Sequence, residues 1–188
     1  MIIVPIEVSA RHVHLCKQDL DILFGLDYQL SPMKKISQTG QFAANETVIL
    51  KNGDKQLLNV RIVGPVRQNT QVELSVSDSI GMGIKPPIKK SGVVNDAAVL
   101  TIIGDKGSVT KTCAIIPQRH IHASVEDAKK YSLYDGQIVS VKCGLERGVV
   151  FSNVVVRVDK NFVWNFHIDV DEYNAAGLTN NESGSVIK

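Results

Sequence analysis

Two segments of this chain carry the same signature, Arg-His-x-His: SARHVHLCKQDL (residues 9–20) and PQRHIHASVEDA (residues 117–128). The chain has five histidines, and four of them, His12, His14, His120 and His122, lie in these two copies. A repeat constrains the fold before any single residue does, because each copy reads as one supersecondary unit. After each signature come a short helix, a Gly-Gln pair (Gly40-Gln41 and Gly136-Gln137), a strand and a turn. A similar strand then closes each copy, NVRIV (59–63) and NVVVRV (153–158).

The rest of the chain is written in short β-branched runs. Glu46–Lys51, Leu57–Val63, Gln71–Val76, Ala97–Ile103, Val139–Lys142, Gly148–Arg157 and Asn161–His167 are separated by turns such as Asn52-Gly53-Asp54. Asn and Gly tolerate positive φ, which hairpin turns require. Helices are expected only over Leu15–Phe24, Ser124–Tyr131 and Asp171–Ala176. The fold class that follows is mostly β: two related small β-barrel domains capped by short α-helices. The first spans residues 1–115 and the second 116–188, with the boundary near residues 108–117. Gly81–Lys90 (GMGIKPPIKK) reads as a mobile, basic, proline-stiffened loop that lacks the spacing of a phosphate-binding loop.

Composition excludes more than it identifies. A formal charge of +2 over 188 residues predicts no nucleic-acid surface, and no window holds the ~20 apolar residues of a membrane helix. The start, MIIVPIEVSARH, reads as a strand without the basic region of a signal peptide. Three cysteines (Cys16, Cys113, Cys143) without C-x-x-C spacing suggest a reduced, cytoplasmic protein. In that setting the sequons at Asn45 and Asn181 are chance.

On a strand, residues i and i+2 share a face, so each His-x-His offers two imidazoles together, a common arrangement for a transition metal. His167, in NFHIDVDEYNAA, reads as a fifth ligand with Asp169 as its orienter, or as part of a solvated acidic turn. Glu73 is a lone charge in the apolar run TQVELSV, and strand acids usually face solvent. Five histidines and one glutamate would make two three-donor sites, which leave a coordination position open, as catalytic metals need. Arg67, six residues before Glu73, suits bidentate capture of phosphate or carboxylate, or is a surface arginine. Arg11 and Arg119 fit either a ligand contact or a simple pairing with acids.

Together, VSARHVHL, GQFAANETV, VRIVGPVR, TQVELS, RHIH and FHIDVDEYNAA resemble the phosphate propanoyltransferase family of phosphotransacylases, over Val8 to Ala176 and in family order. The resemblance implies two β-barrels capped by short helices and two zinc ions or similar divalent metals. It implies interconversion of acyl phosphate plus coenzyme A with acyl-CoA plus phosphate, on short acyl chains such as acetyl or propanoyl. It makes His12, His14 and Glu73 ligands of one metal, and His120, His122 and His167 ligands of the other. Arg67 becomes the phosphate-binding catalytic residue, and Val8, Ser9, Lys34, Arg61 and Asn174 become coenzyme A contacts. Its partners are small molecules only, with no nucleic acid and no membrane. Open strand edges in a small β protein also favour a homodimer. Family members packaged in microcompartments carry an N-terminal extension, and only about eight residues precede the first motif, so a free cytoplasmic enzyme is expected. A two-metal hydrolase and a metal-binding module are the alternatives.

Overall fold

The computed structural model describes residues 1–179 and 182–188. Asn181, in one of the sequons, lies outside the described residues. From the N-terminus the chain forms β1 (Ile2–Ser9), β2 (His12–His14), α1 (Lys17–Phe24), β3 (Pro32–Lys35), β4 (Phe42–Asn52) and β5 (Lys55–Gly64). It continues through β6 (Gln71–Glu73), α2 (Val76–Met82), β7 (Ile88–Lys89), β8 (Ala98–Ile103), β9 (Ser108–Pro117) and β10 (His120–Ala123). The last third adds α3 (Val125–Tyr131), β11 (Ile138–Cys143), β12 (Val149–Val158), β13 (Asn165–Asp169), α4 (Val170–Ala175) and β14 (Ser183–Ile187). No helix among the described residues is long and apolar enough to cross a membrane.

The chain divides into two compact units, residues 11–117 and residues 1–10 together with 118–188. Each is a closed six-stranded barrel. In one the strands follow the order β4-β5-β2-β6-β9-β8, closed by pairing of β8 with β4, with β3 and β7 added at the margins. In the other the order is β11-β12-β10-β13-β1-β14, again returning to its start. The two orders superimpose strand for strand, including which pairs are parallel: β2 with β5 and β10 with β12, β6 with β9 and β13 with β1. Closure leaves no unpaired edge within a barrel, and the interiors are filled by two apolar clusters, one per unit.

The repeat therefore holds, and the mid-chain junction at 117/118 falls two residues from the expected 115/116, but the N-terminal segment changes sides. The first ten residues group with 118–188, because β1 pairs with β13 and β14. Residues 108–117 form the ten-residue strand β9, which ends at that junction and whose alternating Val109, Cys113 and Ile115 fit a half-buried face. Each His-x-His strand is thus preceded in the chain by a strand of the other barrel. The expected strand Gln71–Val76 stops at Glu73, because Ser75 and Asp78 form a capping box that starts α2. Gly83, in the left-handed region (φ +67°), ends that helix, and Ile88–Lys89 is a strand, so the basic loop is shorter than expected.

One buried charge anchors the helix that follows β2. Asp19 of α1 is 3% exposed and accepts hydrogen bonds from Lys111 Nζ (2.6 Å) and from the Thr70 hydroxyl, which itself accepts from the Cys16 amide (3.0 Å). Burial pushes the Asp19 carboxyl up, but the Lys111 and Thr70 hydrogen bonds outweigh it, and the group titrates below the usual carboxylate range. Lys111→Met would strand that carboxylate. The expected loss is about 2 kcal/mol, discounted from a fully buried pair because Lys111 is part exposed; an unchanged urea midpoint would contradict this role for Lys111.

Candidate metal and substrate site

The middle residue of each His-x-His motif decides where the histidines point. Val13 and Ile121 are fully buried in the two barrel cores, so strand alternation turns His12 and His14, and His120 and His122, onto the opposite face. An antiparallel neighbour supplies the third donor by register. Glu73 of β6 lies opposite His12, with Val72 buried beside Val13. His167 of β13 lies opposite His120, with Phe166 buried beside Ile121. The donor atoms of His12, His14 and Glu73 all lie within 4.8 Å of one another, and so do those of His120, His122 and His167.

In the first cluster the Nε2 atoms of His12 and His14 are 3.0 Å apart, and Glu73 Oε2 is 3.6 Å from His12 Nε2. His14 Nδ1 lies 2.9 Å from the Val63 carbonyl. A carbonyl can only accept, so Nδ1 carries the proton and Nε2 presents its lone pair. Burial, then the neighbouring His12, then the Arg67 guanidinium hold His14 well below the usual imidazole range, in the neutral form a metal ligand requires. Glu73 is itself buried, which corrects the expectation that a strand acid faces solvent.

In the second cluster the His120 and His167 rings stack at 5.1 Å with 4° between planes, and His122 lies 4.5 and 4.6 Å from them. His120 Nδ1 is fixed by the Gln118 carbonyl (2.8 Å), again freeing Nε2. Phe162 stacks on His122 at 4.0 Å. Glu7 of β1, which sequence reading passed over, brings Oε2 to 3.8 Å from His167 Nε2 and accepts from Asn165 Nδ2 (3.3 Å). Both donor sets, two imidazoles with a carboxylate and three imidazoles, suit zinc or a related divalent ion at a three-protein-ligand site.

The arginine that opens each signature is a clamp. Arg11 donates to Asp78, and Asp78 is the acid of the capping box that starts α2, just after Glu73. Arg119 meets Glu172 at 2.6 Å, and Glu172 is the capping-box acid of α4, just after His167. In each case one carboxylate oxygen takes the arginine and the other takes the backbone N–H of the cap residue, Ser75 or Asp169. Asp169 is thereby occupied as a helix cap, accepting from the Glu172 amide (2.9 Å), rather than orienting His167.

Arg67 sits in the β5–β6 loop, its backbone N–H held by the Leu15 carbonyl (2.9 Å) and its Nη1 3.3 Å from the Ser91 hydroxyl. It lines an open recess of about 270 Å³ together with Gln68, Asn69, Gln71 and Gly92. Arg61 lies opposite His12 on β5 and spends Nη1 on the Ala44 and Asn45 carbonyls (3.0 and 2.8 Å), while Lys34 is exposed on β3. In the other unit Val8 and Ser9 end β1, and Asn174 is exposed on α4, which packs against β1.

A model of the phosphate propanoyltransferase family matches residues 5–179. The chain belongs to that family. It is 46% identical to the phosphate propanoyltransferase of Rhodopseudomonas palustris over 186 residues, 98% of this chain and 82% of the relative. It is 46% identical to that of Rhodobacter capsulatus over 179 residues (95% and 83%) and 44% identical to that of Thermotoga maritima over 174 residues (91% and 82%). Phosphate propanoyltransferases are acyltransferases, so the chain is an enzyme of phosphate acyl transfer acting on small molecules.

Two measurements check the geometry. Arg119→Met frees the α4 cap acid, and it should lower thermal stability and loosen metal at the three-histidine cluster while leaving the other cluster unchanged; equal loss at both would contradict the clamp. The His14 shift carries a sign: the folded chain binds fewer protons than the unfolded one, so metal-free protein loses stability as pH falls below about 6.5. The urea midpoint of chelator-treated protein should drop between about pH 7.5 and about pH 5.5, and drop less in His14→Gln. Equal drops would remove His14 from the account.

Proposed function

We propose that the chain interconverts a short-chain acyl phosphate plus coenzyme A with acyl-CoA plus inorganic phosphate, using two divalent metals, zinc being the ion the donors suit best. One would be held by His12, His14 and Glu73 and the other by His120, His122 and His167. The observation that carries this reading is the pair of convergent three-donor clusters within a chain whose relatives are named for propanoyl transfer to or from phosphate. Such a metal supplies Lewis acidity to bound oxygen and lowers the pKa of a bound thiol.

The chain's own residues divide the remaining work. Arg67, fixed at its backbone and facing the recess, binds the phosphate and takes up charge as the acyl carbon–oxygen bond breaks. Val8, Ser9, Lys34, Arg61 and Asn174 contact coenzyme A, Lys34 as an exposed cation suited to its phosphates. The sulfur that attacks is the coenzyme's. Burial pushes Cys113 and Cys143 up to about 12, so neither offers a thiolate near neutral pH. Direct transfer therefore needs no acyl-enzyme.

A coupled assay with acetyl and propanoyl phosphate tests this: acyl-CoA should form only with coenzyme A and should cease after chelation. Phosphate release without coenzyme A would establish a hydrolase instead. Arg67→Ala should raise the phosphate KM at least tenfold with metal content intact, and Cys16→Ala should retain turnover. An unchanged phosphate KM would sink the Arg67 assignment, and loss of turnover in Cys16→Ala would sink direct transfer.

A further inference from the structure

Glu73 is the only carboxylate in the two donor clusters, and one of its oxygens is already committed to this chain. Oε2 faces His12, whereas Oε1 accepts from Gln71 Nε2 at 2.6 Å and from the Ser91 hydroxyl at 2.7 Å. Gln71 lies two residues before Glu73 on β6, hence on the same face, opposite His14. Its amide orientation is settled by the loop, because the Gly92 N–H donates to Gln71 Oε1 (2.7 Å). Gln71 Nε2 also donates to Ser91 Oγ (2.9 Å), and Arg67 Nη1 reaches that oxygen at 3.3 Å. Ser91 has one proton, and its hydrogen bond to Glu73 uses it, so its lone pairs accept from Gln71 and Arg67. Two consecutive residues of the β7–β8 loop thus dock on Glu73, Gln71 and Arg67 together.

We propose that Ser91 and Gln71 are positioning residues that hold Glu73 as a one-oxygen metal ligand and couple it to Arg67. This rests on the reading that His12, His14 and Glu73 hold a divalent metal. Two donors on Oε1 fix the carboxylate plane, leaving Oε2 as the oxygen directed at the histidines, and groups of this kind set metal affinity through orientation. The Ser91 hydroxyl is the joint: it gives its proton to the proposed metal ligand and accepts from the proposed phosphate-binding arginine. The other barrel repeats half of this device. Asn165 takes the register place of Gln71, opposite His122, and donates to Glu7 Oε2 (3.3 Å) beside His167.

The test is competition for Zn²⁺ between a chromophoric chelator and purified wild type, Ser91→Ala, Ser91→Thr and Gln71→Leu, which needs no turnover. Ser91→Ala and Gln71→Leu should weaken one of two sites by about 10- to 100-fold and leave the other at its wild-type affinity. Ser91→Thr, which keeps the hydroxyl, should stay close to wild type. In the acyl-transfer assay Ser91→Ala should raise the phosphate KM several-fold, and that effect should vanish in an Arg67→Ala background. Unchanged Zn²⁺ affinity at both sites overturns the proposal, and so does equal weakening of both, which would mark a loss of fold. Wild type that binds no Zn²⁺ overturns the metal reading itself, visible before any variant is made.

Discussion

Everything chemical in this molecule depends on one packing choice: the residue between the two histidines goes into the barrel. Val13 and Ile121 are fully buried, and each fixes the rotation of a very short strand. With the rotation set, pleating puts both imidazoles on the other face, and antiparallel pairing brings the third donor opposite the first. A slip of one residue would turn every donor inward. The barrel cores resist that slip, because Val72 and Phe166 are buried in the matching register. The same register brings each arginine to the acid that caps the next helix, so core, donors and clamp are set by one alignment.

The two barrels share a topology but have diverged at equivalent places. Where one has Glu73 the other has His167, and where one has Gln71 the other has Asn165. The β5–β6 loop carries Arg67, and the matching β12–β13 loop carries Phe162, which stacks on His122. A divalent ion among two imidazoles and a carboxylate keeps one net positive charge, whereas three imidazoles leave two, and Glu7 stands beside the latter. Duplicated scaffolds with unequal donors would suit the proposed reaction, whose two participants, an acyl phosphate and a thiol, are unlike.

Much of this was legible in the sequence, for physical reasons. The barrels follow from β-branched runs between Asn and Gly turns, and the repeat is echoed by Asn59 and Asn153, both in the left-handed region (φ 55° and 56°). His-x-His on a strand needs only local geometry to be read. Other features depend on register between distant segments and were not legible. The partnership of β1 with β13 is one, and it moved the first ten residues to the other unit. The junction at residues 117–118, by contrast, falls two residues from the expected 115/116, at the end of β9. Ser91, in an unremarkable KKSGVV stretch, gives no local signal of its contact with Glu73. The helix α2 did carry a signal, Ser75-x-x-Asp78 before Ile80 and Gly83 after Met82, hidden by the β-like run that precedes it.

On the proposed function this chain supplies nitrogen and oxygen donors alone to the metals, and the sulfur in the reaction comes from coenzyme A. X-ray absorption at the metal edge of zinc-loaded protein tests it most directly. Without coenzyme A, the prediction is about two zinc ions per chain with only nitrogen and oxygen neighbours. Adding coenzyme A should bring in a sulfur neighbour at about 2.3 Å. Sulfur present before the coenzyme is added, or a spectrum that coenzyme A leaves unchanged, would contradict the account.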